Sequence, residues 1–107
     1  MNITINDFKK IEIKIGRITK AENHPNADNL LVFAVDVGNE QKQIVAGIKK
    51  FYTPEQVFGK LIVVITNLEP VVLRGVESQG MLLSASDSNT LAILTVDHPV
   101  NPGSIVK

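Results

Sequence analysis

The chain has 107 residues, eleven basic and eleven acidic side chains, no cysteine, and 44% hydrophobic residues. That length fits one domain over residues 1–107 with a single core. The absence of cysteine excludes disulfides, a thiolate nucleophile and a cysteine zinc site, and a formal net charge of zero argues against a purely electrostatic nucleic-acid glove. No apolar run approaches the roughly 18–20 residues that span a bilayer. The opening residues Met1 to Asp7 lack the basic and apolar blocks of a signal peptide. A cytoplasmic protein without a membrane association is therefore expected.

The first element predicted is a helical turn over Thr4 to Lys10, capped by Thr4 with Asp7 in its first turn. Ile11, Ile13 and Ile15 then alternate at strand period. Ile18 breaks that parity just after Gly16, so a bulge at Gly16-Arg17 is expected to return the inward face and bend the strand. Asn23 to Asn29 is rich in turn formers. Leu30 to Val37 follows as a second strand, apolar on nearly both faces. Gly38-Asn39-Glu40 turns into a third strand over Gln41 to Ala46. Thr53-Pro54-Glu55-Gln56 carries the punctuation of a helix start: a threonine cap, proline at the first position and glutamine closing a capping box. Gly59 supplies a left-handed stop.

Leu61 to Ile65 is a fourth, buried strand. Met81 to Ala85 is a fifth, and a short strand over Leu91 to Thr95 follows the turn at Asp87 to Thr90. The end of the chain, His98 to Val106, reads as loop with a final edge strand. Ile105-Val106 is a candidate for edge pairing with a second copy. Three strands, a short helix and two or more strands is the order of the OB-fold, an all-β five-stranded Greek-key barrel. Here it gains short N- and C-terminal elements. The alternative is another small barrel with the same strand count.

Catalysis needs a reacting group and a partner that tunes it. His24 and His98 are each followed by proline, lie far apart in sequence, show no metal-ligand spacing, and read as loop residues. Ser78 and Ser84 lack an evident base. Gly75 and Gly80 do not precede the Lys-Ser/Thr pair of a phosphate loop. No cofactor is implied. Of the five aromatic residues, Phe33 is expected in the core and Phe58 in the packing of the short helix. Phe51-Tyr52, beside Lys49-Lys50, is the one basic-aromatic pairing, too little for an extended base-stacking platform.

Residues 73–81, Leu-Arg-Gly-Val-Glu-Ser-Gln-Gly-Met, are the richest in binding chemistry. Arg74 can fork onto a phosphate. Ser78 and Gln79 can bond phosphate or sugar oxygens, Met81 offers a soft apolar surface, and the glycines allow positive φ or close approach. Nothing in the set makes or breaks a covalent bond.

With this segment, His24-Pro25-Asn26-Ala27-Asp28-Asn29-Leu30, Ile44 to Ile48 and Thr53-Pro54-Glu55 together make a chain that resembles the tRNA-binding domain family over nearly its whole length. That family includes the C-terminal appendix of bacterial methionyl-tRNA synthetases and its free-standing homologues. The resemblance implies an OB-fold, binding of tRNA through its folded shape, homodimerisation, and a methionyl-tRNA synthetase as partner or parent chain. It carries the RNA-facing role onto Lys14, Arg17, Asn26, Lys42, Lys49, Arg74, Ser78, Gln79 and Met81. Asn29 departs from the family pattern, where lysine is common. The cytokine-like extension of eukaryotic relatives is not expected, since Lys107 ends the sequence.

Three functions compete. The first is a non-catalytic, structure-specific tRNA-binding module acting in trans with a synthetase or as its C-terminal domain. The second is an export-related dimeric chaperone holding unfolded polypeptide, relatives of which generally lack the Asn26-Ala27-Asp28 and Ser78-Gln79-Gly80-Met81 patterns. The third is a domain that only pairs synthetase chains.

Overall fold

The computed structural model describes residues 1–107. The chain runs α1 (Ile5–Phe8), β1 (Ile13–Asn23), β2 (Leu31–Asp36), β3 (Gln41–Ala46), α2 (Pro54–Val57), β4 (Leu61–Ile65), β5 (Val71–Leu73), β6 (Val76–Ser78), β7 (Met81–Leu82), β8 (Ser84–Ser86) and β9 (Leu91–Ile93). Both short helices start as their sequences predict. Thr4 and Asp7, and then Thr53 and Gln56, form reciprocal capping boxes, each satisfying two backbone donors that a helix start leaves open.

The main sheet has the order β3-β2-β1-β4-β7 and is antiparallel throughout. β1 is shared: its first part pairs with β4 and its later part with β2. The loop before β7 returns to β3, where the Gln79 amide donates to the Gln43 carbonyl at 2.7 Å. This makes a nearly closed five-stranded barrel with α2 between the third and fourth strands, the OB-fold. Its core gathers Leu31, Phe33 and Val35 of β2, Ile44 of β3, and Ile62 and Val64 of β4, each at most 1% exposed. Full burial of one such side chain stabilises by about 1.5–3 kcal/mol.

The bend in β1 is not where the glycine suggested. The register slips between Ile18 and Lys20, so the extra residue is Thr19, whose hydroxyl donates to the Ala34 carbonyl at 3.1 Å. Gly16 is small for another reason. A Cβ there would stand 2.5 Å from Val35 Cγ1 and 3.2 Å from the Asp36 carbonyl, so the strands cross too closely for a side chain. The inward set also differs from the isoleucine alternation. Lys14 and Gly16 pair with the fully buried Val64 and Ile62, which places Lys14, Gly16 and Ile18 on the core face. Ile15 is buried but lies outside the main cluster, under the C-terminal segment.

That segment is the final edge strand. The Ile15 amide donates to the Ser104 carbonyl at 2.8 Å, and the Gly103 and Val106 amides donate to the carbonyls of Ile15 and Ile13 at 2.7 and 2.9 Å. Residues 103–106 thus pair with β1 of their own chain. Three further readings are corrected. Val57, fully buried, anchors α2, whereas Phe58 is 63% exposed. The expected fifth strand divides into β7 and β8. The β5–β6 hairpin was not foreseen, because Val71-Val72-Leu73 is too short to show a period and its turn carries Arg-Gly, not Asn-Gly.

Candidate functional site

The β5–β6 hairpin carries Arg74 and Ser78, two of the residues expected to face RNA. β6 and the residues after it lie along the free edge of β3. The Ser78 hydroxyl, buried, accepts from the Val45 amide at 3.0 Å and donates to the Gly80 carbonyl at 3.1 Å. Gln43 and Gln79 interlock: the Gln43 amide donates to Gln79 Oε1 at 2.8 Å, and Gln43 Nε2 donates to the Glu77 carbonyl at 2.8 Å. Gln79 Nε2 donates to Glu77 Oε1 at 3.1 Å. Ser78 and Gln79 therefore spend their polar atoms on holding the hairpin. Those bonds fix the segment between Arg74 and Met81.

The β1–β2 loop holds the other end of the hairpin. His24 is 5% exposed and bridges the Asn26 amide and the Leu73 carbonyl, 2.9 Å from each. Asn26 Nδ2 donates to the Arg74 carbonyl at 3.4 Å. The Asn29 carbonyl accepts from the Lys49 amide at 3.4 Å. The β1–β2 loop is thereby bonded to both other segments, to Arg74 through Asn26 and to the Lys49 backbone through Asn29. Between the hairpin and the end of β3 lies a cavity of about 390 Å³, lined mainly by apolar side chains including Val45, Ile48, Leu68, Val71, Leu73 and Met81. Met81 stands half exposed at it.

Lys14 and Lys42 occupy a different place. Both face inward on their strands, opposite the buried Val64 and Val35. Their ammonium groups lie 3.8 and 4.0 Å from Glu12 and Glu40. Glu12 also accepts from the buried Thr66 hydroxyl at 2.5 Å. That hydrogen bond first, then the charge of Lys14 and, more weakly, Lys42, hold the Glu12 carboxyl below the usual range. The start of β3 thus carries a neutralised polar cluster, away from Lys49. Arg17 stands apart again, on the outer face of β1, with Nη1 donating to the Gly59 carbonyl at 2.9 Å.

Ion pairing sorts the cations further. Lys10, Lys14, Lys20 and Lys42 each lie within 4.0 Å of a carboxylate, and Lys9, Arg17, Lys49, Lys50, Lys60, Arg74 and Lys107 do not; of these, Arg74 lies on the β5–β6 turn and Lys49 and Lys50 follow β3. Lys50 and the 45%-exposed Phe51 extend the unpaired group, whereas the Tyr52 hydroxyl accepts from the Ile93 amide. His24 was the residue sequence reasoning missed. Its signal was the spacing to Asn26, the two-residue separation at which a side chain can cap a turn amide. No three His, Asp or Glu side chains converge as metal ligands would, and no helix is long and apolar enough to cross a membrane.

A family model described as "Putative tRNA binding domain" matches residues 13–105. Methionine–tRNA ligase of Thermotoga maritima is 51% identical over 104 residues, covering 97% of this chain and 16% of that protein. The corresponding enzyme of Thermococcus kodakarensis is 47% identical over 105 residues, covering 98% of this chain and 14% of its own. The chain therefore spans only 14–16% of the length of these relatives. Among solved structures, a MetRS related protein from Pyrococcus horikoshii superposes with a TM-score of 0.94 at 34% identity, covering 100% of this chain and 99% of that one. Chaperone CsaA from Bacillus anthracis superposes with a TM-score of 0.90 at 26% identity, covering 100% of both chains.

Proposed function

The chain belongs to the tRNA-binding domain family, and on that premise we propose that it is a non-catalytic module that grips tRNA by its folded shape, acting with a methionyl-tRNA synthetase in trans or as its C-terminal domain. One observation carries the reading. The two segments with the family's motifs, Asn26 on the β1–β2 loop and Arg74 on the β5–β6 turn, are bonded to each other, the same loop is bonded to the Lys49 backbone through Asn29, and neither Arg74 nor Lys49 has a carboxylate partner. Arg74 supplies a forked donor for a phosphate, and Lys49 and Lys50 supply point charges. Met81 offers apolar surface beside them. Such contacts position a backbone without reading a base sequence, and one folded corner of tRNA presents phosphates and 2′-hydroxyls together. A homodimer would offer two such ends to one ligand and gain by avidity.

Gel-shift titration with unfractionated tRNA tests this. Arg74→Ala is expected to weaken binding by about tenfold, the scale of one charge-assisted hydrogen bond, with the sedimentation coefficient unchanged. Unaltered affinity in that variant overturns the assignment. A second reading, capture of unfolded polypeptide, is favoured by the apolar cavity and by the chaperone superposition. It predicts suppression of aggregation of a denatured client, undiminished by Arg74→Ala and lost on Met81→Glu.

A further inference from the structure

We propose that His24 is a positioning residue: together with Asn26 it clamps the β5–β6 turn in a disfavoured backbone conformation and so fixes where Arg74 projects. This deepens the tRNA-binding reading and rests on it for the role of Arg74, but the clamp itself is a property of the protein alone.

Arg74 has φ +53°, the one non-glycine residue with positive φ, and Gly75 follows at φ +90°. A two-residue hairpin with both central residues at positive φ is the geometry in which Asn-Gly is the relaxed choice. An arginine there carries a Cβ that crowds the following carbonyl. Residues held in such wells persist when their surroundings over-determine them, and here the surroundings are identifiable. The Asn26 amide donates to His24 Nδ1 at 2.9 Å, so Nδ1 is the unprotonated nitrogen. The proton must then sit on Nε2, which donates to the Leu73 carbonyl at 2.9 Å. Asn26 Nδ2 donates to the next carbonyl, that of Arg74. Two consecutive carbonyls at the entrance of the turn are thus pinned by one loop, across 49 and 48 residues of sequence. The imidazole is 5% exposed and both of its nitrogens are engaged, which leaves it no role as a ligand to anything else. A turn held this way loses little freedom when a ligand is gripped, which favours affinity.

Two side chains separate the two bonds of the imidazole. His24→Asn keeps an acceptor near the Nδ1 position, within reach of the Asn26 amide, and is too short for Leu73. His24→Gln keeps a donor that reaches Leu73. Nitrogen NMR of the wild type is expected to show the Nε2–H tautomer, and the Cα shift and one-bond coupling of Arg74 to show positive φ. In His24→Asn, and in Asn26→Ala should the first variant fail to fold, Arg74 is expected to leave that region. With tRNA as the probe, His24→Asn is expected to weaken binding by about fivefold to tenfold, and His24→Gln to recover most of it. On an Arg74→Ala background, the His24 substitutions are expected to change affinity less than about twofold, as two residues acting through one contact must. Arg74 keeping its positive φ in whichever of these variants folds overturns the clamp, and so does an undiminished His24 effect without Arg74. A wild type that does not bind tRNA overturns the functional reading instead, and the NMR arm still decides the clamp.

Discussion

At the scale of single residues, the most informative contrast is between cations that are free and cations that are spent. Lys14 was expected among the RNA-facing residues, yet the strand's parity turns it inward, where its ammonium lies by Glu12, a carboxylate that also accepts from Thr66. The same cluster has a consequence in acid. The Glu12 carboxyl titrates below its ordinary value of 4.5, so its contribution to stability is present above the unfolded value and is lost as pH falls through the folded one. Asp87, lowered by hydrogen bonds from the Asn89 and Thr90 amides, acts in the same direction. Glu12→Gln is therefore expected to melt lower than wild type at neutral pH and to lose less of its melting temperature between neutral pH and pH values below 4.5. Thermal melts across that range measure it, and parallel curves for the two proteins would contradict it. The inward turn of Lys14 was not legible in the sequence, because the covering of Ile13 and Ile15 by residues 103–106 is a long-range event that no local period records.

At the scale of elements, the hairpin β5–β6 is held by side chains more than by its own apolar contacts. Val71 and Val72 are 54% and 66% exposed. Its docking rests on Ser78 at Val45 and on the Gln43–Gln79 interlock. Removing the serine hydroxyl leaves the Val45 amide buried without a partner, which costs about 1–3 kcal/mol. Ser78→Ala is expected to show that loss in urea unfolding, and to weaken tRNA binding by way of a displaced Arg74. Ser78→Thr, which keeps the hydroxyl, tests whether the hydroxyl itself is what matters. The strands β1 to β4 and both capped helices were readable, because alternation, turn residues and capping boxes are local signals. The hairpin was not, because three-residue strands hold no period and the Arg-Gly turn is stabilised from the β1–β2 loop. Ser78 and Gln79 could be recognised as polar and well placed, and their inward commitments could not.

At the scale of the whole molecule, a net charge of zero conceals an uneven distribution of available charge. The cations at the start of β1 and β3 are matched by Glu12 and Glu40, whereas Arg74, Lys49 and Lys50, on the β5–β6 turn and just after β3, are matched by nothing within 4.0 Å, as are Lys9, Arg17, Lys60 and Lys107 elsewhere on the chain. Counterion release depends on phosphates neutralised by free cations, not on the total of lysines and arginines. With about three such contacts per protomer, the slope of log affinity against log salt is expected near −2 to −3, since each contributes about −0.7 to −0.9. Removing Lys49 or Lys50 should flatten the slope by about one unit. Removing Lys42 should leave it unchanged, because that ammonium has an internal partner in the unbound protein. Filter binding over a salt series with these three variants separates the cases. A slope that follows Lys42 as strongly as Lys49 would move the RNA surface to the other end of the barrel, and a slope near zero would remove phosphate contact from the account altogether.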